Sequence, residues 1–345
     1  MKNPDLPYYL TSFLAKYLPG ARNASPNTTG SYAVTFKLLF LFLESEKGIR
    51  TDKVKMQMLD HNLIAEYLDW LEKSRNCSIT TRNQRLVALH SFYRYVQKQS
   101  PENMELIQGI LNIPYKKAVR TIVPYLMEDE MKLLLAQPDG RTKEGFRDKV
   151  LLSVLYDSAA RVQELVDLKI KDVRIRKPPV ITLQGKGKKV RQVPIMESTR
   201  QLLEAYMDSY SCNCGISKGD NHLFVNQKQQ PLSRWGISYI INKYVEQACE
   251  SSGFHTEFPI TPHVFRHSKS MHMLHAGINL IYIRDFLGHV DCSTTEIYAR
   301  ADTEMKRKAI EASCIDILPE NKMPEWTDDS DLMNFLNTIS CQIKW

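Results

Sequence analysis

Six side chains in the second half of the chain have the types and order needed to break a phosphodiester bond without a metal ion. They are Arg161, Lys186, His263, Arg266, His289 and Tyr298. A tyrosine phenolate can attack phosphorus and hold the product covalently. Arginines can grip the non-bridging oxygens and stabilise the transition-state charge, and a general acid can protonate the leaving 5′-oxygen. No acidic cluster for two magnesium ions is evident, so the sequence predicts neither a cofactor nor a metal.

The motif that contains Arg161 is Ser158-Ala-Ala-Arg161-Val-Gln-Glu164. Ser158 is a candidate N-cap, which predicts that a helix starts there and that Arg161 lies in its first turns. A cation near the positive end of a helix dipole needs an anionic partner, either Glu164 or a bound phosphate. Taken alone, the segment favours a surface ion pair between Arg161 and Glu164.

Lys186 lies in a glycine-bearing loop between two predicted strands, Val180–Gln184 and Val190–Ile195. The cations of this hairpin are Lys186, Lys188, Lys189 and Arg191. They suit a phosphate backbone, and a solvated charged turn explains them equally well. A nucleotide-binding P-loop is excluded, because that motif joins a strand to a helix.

His263 and Arg266 follow a helix start at Thr261, and their spacing puts them on one helix face. An imidazole and a guanidinium placed in this way can meet one phosphate. His267 shares i,i+4 spacing with His263, as in some metal sites. The metalloprotease pattern is absent, however, because Val264 occupies the position of its glutamate.

The last motif surrounds Tyr298. Gly288 fits the position after a helix C-terminus, which leaves His289 in a loop. Ser293 and Glu296 form a capping box, so a new helix is expected to start there. A tyrosine in the first turns of such a helix is ordinarily half-buried packing, and only the whole set of motifs indicates chemistry for Tyr298.

The first ~115 residues have apolar residues at helical spacing and predict four helices. These span Tyr9–Leu18, Tyr32–Leu43, Leu63–Leu71 and Leu86–Val96, with breaks at residues 27–30 and 76–78. Arg82 and Arg85 lie off the apolar face of the fourth helix. They are either DNA contacts or parts of a solvated helix face. Residues 110–125 lose the period and contain prolines, which predicts an extended linker with a domain boundary near residue 118.

Beyond the linker, helices are predicted on both sides of the one small hairpin, so the expected class is mainly α with a minor β element. The helices span Glu128–Ala136, Phe146–Tyr156, a third from near Ser158, Thr199–Ser209, Trp235–Glu250, Pro262–His275, Leu280–Leu287 and Thr294–Ala312. In the acidic tail, Leu332–Leu336 is a short amphipathic segment that can dock on a neighbour or on its own domain.

Composition narrows the function classes. The 345 residues carry 46 basic and 39 acidic side chains, and the net charge is +7 over residues 1–120, +4 over 121–315 and −4 over 316–345. A basic body hints at a polyanionic partner such as nucleic acid. No apolar run is long enough for a membrane span and no signal peptide is evident. Seven scattered cysteines indicate free thiols in a reducing cytosol.

Taken together and in this order, the motifs resemble those of the tyrosine recombinases, the phage-integrase family. The resemblance is carried by Ala160-Arg161-x-x-Glu164-Leu165, Gly185-Lys186-Gly187, Thr261-Pro-His263-x-x-Arg266-His267, Leu287-Gly-His289 and Thr294-Thr-Glu-Ile-Tyr298. It covers residues 125–300 strongly. Residues 80–93 are similar to a helix of the family's SAM-like core-binding domain.

The resemblance implies a helical core-binding domain over residues 1–117, a mixed, mostly α catalytic domain over 118–315, and a tail over 316–345 that can dock on a protomer. The two domains would clamp duplex DNA at paired half-sites, with a homodimer on each site and a homotetramer in the synaptic complex. Strands would be exchanged through a Holliday junction. The protein would be cytoplasmic and nucleoid-associated, and neither metal nor ATP would be required.

The resemblance also implies a role for each catalytic residue. Tyr298 would form a 3′-phosphotyrosyl bond, and Arg161 and Arg266 would hold the scissile phosphate. Lys186 would be the general acid and His263 would assist proton transfer from the tyrosine. His289 would hydrogen-bond the phosphate.

Two positions depart from the family pattern. Ala159 stands where a glycine is usual, and Phe265 stands where a leucine is usual. Neither change removes a polar group, so an active enzyme is expected. Two alternatives stay open. One is a type IB topoisomerase, which uses a similar residue set. The other is a non-catalytic helix-turn-helix regulator built on residues 269–287, which would leave Arg161 and Tyr298 unexplained.

Overall fold

The computed structural model describes residues 5–118, 123–185, 187, 189–211, 219–252, 254–288, 335–336 and 338–339. The chain divides into two compact units, Met1–Thr121 and Ile122–Trp345. Each unit has its own buried apolar core. Among the described residues, no helix is both long enough and apolar enough to cross a membrane.

Among its described residues, the first unit contains helices and connecting loops but no strand. Its helices are α1 (Leu6–Ser12), α2 (Pro26–Lys47), α3 (His61–Lys73), α4 (Ile79–Gln97) and α5 (Met104–Leu111), with a π-helical segment, Phe13–Ala21, after α1. Helix α4 lies in the middle of the core, where the ring of Phe92 packs edge-on against Phe13 and Phe36 at centroid distances of 5.4 and 5.0 Å. The predicted apolar face of this helix, including Leu86, is buried.

Helix α2 differs from the sequence prediction, because it begins at Pro26 and runs through the expected break at residues 27–30. Ser25 is its N-cap, and the Ser25 hydroxyl accepts a hydrogen bond from the Thr28 backbone N–H at 3.2 Å. Pro26 fits the first helical position because its missing N–H has no partner there in any case. Gly30 weakens a helix interior by only about 1 kcal/mol, and the buried Phe36 and Leu39 farther along anchor the helix.

The second unit contains helices and one small antiparallel sheet. Its elements are α6 (Glu128–Ala136), α7 (Lys143–Ser158), α8 (Val162–Val166), β1 (Val173–Arg174), β2 (Val180–Gln184), β3 (Val190–Pro194), α9 (Glu197–Ser211), α10 (Arg234–Ser252), α11 (Pro262–His275) and α12 (Leu280–Leu287). The strand order is β1-β2-β3, and β2 pairs with β3 from Val180 opposite Pro194 to Gln184 opposite Val190. The predicted class, mainly α with a small hairpin sheet, is confirmed.

The fold differs from the prediction in two further places. The two-residue strand β1 is too short to give a period-2 pattern, and α5 extends to Leu111 inside the stretch expected to be linker. The predicted helix Thr294–Ala312 lies outside the described residues, as does most of the Leu332–Leu336 segment.

Candidate active site

The break between α7 and α8 positions Arg161. Helix α7 ends at Ser158, whose hydroxyl donates to the Val154 carbonyl at 2.6 Å, so Ser158 is not the N-cap that the sequence suggested. Ala159 then adopts the left-handed conformation, with φ +46° and ψ +36°. This conformation favours glycine, which gives a physical reason for the glycine usual at this position. Arg161 itself is the N-cap of α8, one turn later than expected.

Glu164 contacts both Arg161 and Arg191. Its side chain is 3% exposed, and both oxygens are used. Oε1 accepts from Nη1 of Arg161 and from Nη1 of Arg191, each at 2.8 Å. Oε2 accepts from the Arg161 backbone N–H at 2.9 Å and from Nη2 of Arg191 at 2.8 Å. The pair of Arg161 and Glu164 expected from spacing therefore exists, but its carboxylate is buried and shared with a second arginine.

The surroundings of Glu164 keep it ionised. Burial acts to raise its pKa, but hydrogen bonds from Arg191 and from the Arg161 backbone, together with the two guanidinium charges, hold the pKa at about 2. Gly185 leaves space for this cluster, since a Cβ there would lie 3.2 Å from Oε1 of Glu164 and 3.6 Å from Nη1 of Arg161. The side chain of Arg161 remains 35% exposed, so the contact with Glu164 leaves it partly accessible.

Arg191 lies inside the protein rather than on the solvent-facing surface of the hairpin. Its side chain is 11% exposed, and besides the two bonds to Glu164 its Nε donates to the Phe286 carbonyl at 3.0 Å. This placement is contrary to the expectation of a DNA contact. The Arg191 side chain instead connects β3 with α8 and with the end of α12. Lys189 is exposed at the start of the returning strand, as expected of a cation available to a phosphate.

Helix α11 begins at Pro262, as predicted, and carries the second arginine. Arg266 is 3% exposed. Its Nη1 donates to the Ala159 carbonyl at 2.6 Å, and its Nη2 donates to the Leu287 carbonyl at 2.5 Å. Both acceptors lie at helix C-termini, where carbonyls lack intrahelical partners and the helix dipole attracts a cation. Arg266 thus connects the end of α7 with the end of α12. Its acceptor at the end of α7, Ala159, lies two residues before Arg161.

His263 lies at the accessible start of α11. Loss of water around the ring, followed by the positive charges of Arg266 and Arg161, lowers the pKa of His263. The ring is therefore neutral near pH 7, which suits a proton acceptor. His267 stacks beside it with ring centroids 6.3 Å apart, and burial, His263 and Arg266 lower the pKa of His267 to about 4. The described residues contain no group of three or more potential metal ligands at this or any other place.

The end of α12 explains the Leu287-Gly288-His289 motif. Gly288 has φ +63° and caps α12. A Cβ at this position would lie 2.9 Å from Cδ of Arg191, closer than real Cβ contacts. Glycine is thus required both by the backbone conformation and by the packed guanidinium stem of Arg191. The next residue, His289, lies outside the described part of the chain.

Arg266 lies beside the segment that carries Arg161, because it donates to the Ala159 carbonyl two residues before Arg161. The charges of both arginines also lower the pKa of His263. The other predicted residues Lys186, Lys188, His289 and Tyr298 lie outside the described residues. The loop that carries Lys186 is closed by a hydrogen bond from the Gly185 N–H to the Lys189 carbonyl at 2.7 Å.

The two arginines of α4 make contacts within the first unit. Arg82 is 5% exposed, donates to the Pro114 carbonyl at 3.0 Å and lies 3.5 Å from Glu72. Arg85 is half-buried and donates to the Ser31 carbonyl at 3.0 Å. Burial of Arg82 is contrary to its expected exposure to DNA, and its contacts instead fix the chain that follows α5.

Models of phage integrase domains match both units of the chain. The model of the phage integrase family matches residues 124–305, and that of the phage integrase N-terminal SAM-like domain matches residues 10–100. A protein named as an integrase/recombinase, y4rC of Sinorhizobium fredii, is 34% identical, over 98% of this chain and 99% of its own length. The tyrosine recombinase XerC of Pelotomaculum thermopropionicum is 32% identical, over 88% of this chain and 97% of its own length.

Solved structures show the same fold. The XerH site-specific recombinase bound to its difH substrate, in a pre-cleavage complex, is 25% identical with a TM-score of 0.64, covering 88% of this chain and 84% of that one. The Tn1549 transposon integrase in complex with transposon right-end DNA is 17% identical with a TM-score of 0.67, covering 88% of this chain and 99% of that one.

Proposed function

The chain belongs to the phage integrase family, and on this premise we propose that it is a site-specific tyrosine recombinase that cleaves and rejoins duplex DNA. The observation that carries the proposal is the proximity of two arginines and a histidine: Arg266 donates to the Ala159 carbonyl, two residues before Arg161, and both arginine charges lower the pKa of His263. Two guanidiniums suit a phosphodiester, because their N–H groups can match its non-bridging oxygens. The fit of both family models, one in each unit, favours a recombinase over a topoisomerase or a regulator.

Cleavage begins with attack of the Tyr298 phenolate on phosphorus. The new bond joins Oη of Tyr298 to the 3′-phosphate, and the bond to the 5′-oxygen breaks. Arg161 and Arg266 stabilise the added charge on the non-bridging oxygens in the transition state. Because the phosphotyrosyl bond preserves the bond energy, a 5′-hydroxyl of another strand can reverse the step and rejoin the DNA.

Three side chains move or hold protons and charge during this step. Neutral His263 accepts the phenol proton of Tyr298, in keeping with its lowered pKa. Lys186 protonates the leaving 5′-oxygen, and His289 donates a hydrogen bond to the phosphate. This set supplies charge stabilisation and proton transfer from side chains alone, so no metal ion is needed.

The two units act as halves of a DNA clamp, with the core-binding domain over residues 1–117 and the catalytic domain over 118–315. The charge of +7 over residues 1–120 favours the phosphate backbone, and Lys188 and Lys189 add contacts beside the hairpin. A homodimer occupies each site and two dimers form the synaptic tetramer, with the segment Leu332–Leu336 docking on a protomer. Action on chromosomal or mobile DNA implies a cytoplasmic, nucleoid-associated protein.

A nicked suicide duplex tests the proposal. When the short strand beyond the scissile phosphate dissociates, rejoining is blocked and the covalent adduct accumulates. We expect wild-type protein to form a slowly migrating protein–DNA band, both with and without EDTA, and Tyr298→Phe to form none.

Tyr282, which is exposed on α12, supplies a matched control, because Tyr282→Phe removes a hydroxyl that the proposal does not use. An adduct that persists in Tyr298→Phe, or that disappears in EDTA, would contradict the proposal.

A further inference from the structure

Arg191 is one of the two hairpin cations that the structure describes, and its side chain makes several hydrogen bonds. It makes two 2.8 Å bonds to Glu164 and a 3.0 Å bond to the Phe286 carbonyl. A planar guanidinium can make this three-point contact, whereas a lysine ammonium cannot reproduce its fork geometry. The residue therefore fixes β3 against α8 and against the end of α12.

The charges around Glu164 decide what Arg161 presents to a ligand. With Arg191 in place, one buried carboxylate faces two guanidiniums, and the cluster carries a net charge of +1. Arg191 takes one bond on each carboxylate oxygen, and the Arg161 side chain bonds to Oε1 alone. Without Arg191, the carboxylate would have Arg161 as its only cationic partner among the contacts described, and the cluster would be neutral.

We propose that Arg191 is a positioning residue that neutralises Glu164 and thereby keeps the charge of Arg161 available to the scissile phosphate. This inference rests on the proposed function. The second part of its role is geometric, since the bond to Phe286 holds the end of α12 two residues before Gly288. The close approach of the Arg191 Cδ to the Gly288 position links the same side chain to the turn that precedes His289.

If the proposal holds, removal of the Glu164 carboxylate should restore the cleavage that is lost with Arg191. Arg191→Met should slow single-turnover cleavage of the nicked duplex by about 100-fold, in the range for loss of one transition-state donor. In Glu164→Gln/Arg191→Met no carboxylate remains to capture Arg161, so cleavage should recover to within about tenfold of Glu164→Gln. Arg191→Lys should fall between Arg191→Met and wild type, because it retains the charge without the fork.

A substrate with an uncharged scissile phosphate separates this role from a purely structural one. With a methylphosphonate at the scissile position, less negative charge must be stabilised, so the charge of Arg161 matters less. We expect the defect of Arg191→Met to shrink by at least about tenfold on this substrate. A merely structural defect would be the same on both substrates, and that result would overturn the proposal.

A matched control is Arg174→Met in the same sheet. Arg174 is exposed on β1 and donates to the Pro178 carbonyl, away from Glu164, and its loss should leave cleavage unchanged. If Arg191→Met fails to fold by thermal melting, the comparison of Glu164→Gln/Arg191→Met with Glu164→Gln decides the matter, because removal of both charges leaves no unpaired buried ion.

The outcomes separate the two proposals. No adduct with wild-type protein would contradict the proposed function itself. Wild-type cleavage together with a folded Arg191→Met of normal rate, or with a double variant more than about 100-fold slower than Glu164→Gln, would overturn the role of Arg191 alone.

Discussion

A single buried carboxylate, Glu164, sets how much positive charge the candidate site presents. Buried ion pairs often contribute little net stability, but a buried charge left without a partner is costly. Here two arginines share the carboxylate, and one of them, Arg161, is still 35% exposed. The carboxylate that anchors α8 therefore also orients the guanidinium that we propose to hold the scissile phosphate.

The lowered pKa of Glu164 predicts a pH dependence of stability. The folded-state pKa is about 2 against an ordinary 4.5, so the stabilisation is fully present above pH 4.5 and is lost as the pH falls toward 2. It amounts to about 3 kcal/mol. The difference in unfolding free energy between wild type and Glu164→Gln, measured by denaturant titration, should shrink over this window. Other groups such as His267 titrate in both proteins and cancel. A constant difference from pH 6 to pH 2.5 would contradict the assignment.

At the scale of elements, the site is built from helix ends. Helix α7 ends in a left-handed residue before Arg161, and α12 ends in Gly288. The buried Arg266 of α11 donates to carbonyls at both ends. Helix termini leave unpaired backbone groups that long polar side chains can satisfy, so three separate elements are fixed around one point.

Gly288 and Gly48 give a matched pair of substitutions. Both cap a helix with φ +63°, but only Gly288 has a neighbour, Arg191, within reach of an added Cβ. Each alanine should cost about 1 kcal/mol through backbone strain. Gly288→Ala should in addition displace Arg191 and slow cleavage, while Gly48→Ala should leave cleavage unchanged. Equal effects of the two variants on melting and on single-turnover cleavage would argue against the contact.

Local sequence patterns predict the bounds of some elements correctly. They fail where contacts between distant residues determine the structure. Helices α11 and α12 and the strand β2 have the predicted bounds, because caps, apolar period and alternation agree there. The break expected near Gly30 is absent, since Ser25 and Pro26 start the helix earlier and its apolar face is buried. The pairing of Arg191 with Glu164 spans 27 residues, and no local pattern indicates it. For the same reason no local pattern predicts the burial of Arg82.

At the scale of the whole molecule, charge is distributed between the parts of the chain. Each of the two units has its own core. Residues 1–120 carry a net charge of +7, although Arg82 and Arg85 make internal contacts. The remaining surface cations can attract a polyanion, because exposed charges act over about a Debye length. Residues 121–315 combine a smaller excess of +4 with a concentrated arginine site, and residues 316–345 carry −4.

This distribution predicts salt-sensitive DNA binding by the full chain. If about six phosphates are contacted, affinity should fall by about three orders of magnitude between about 50 and 200 mM salt, because condensed counterions are released on binding. Fluorescence anisotropy with a target duplex and an unrelated duplex should give similar slopes of log affinity against log salt, since phosphate contacts carry no sequence information. A slope near zero would contradict an electrostatic clamp.

Peptide mapping of the covalent adduct tests whether Tyr298 carries the DNA in the proposed intermediate. Wild-type adduct from the nicked duplex is digested with nuclease and trypsin, and the peptides are sequenced by mass spectrometry. Trypsin should release residues 285–300, in which Tyr298 is the one tyrosine. We expect a nucleotide remnant on Tyr298 of this peptide. A remnant on any other residue, Tyr282 included, would contradict it.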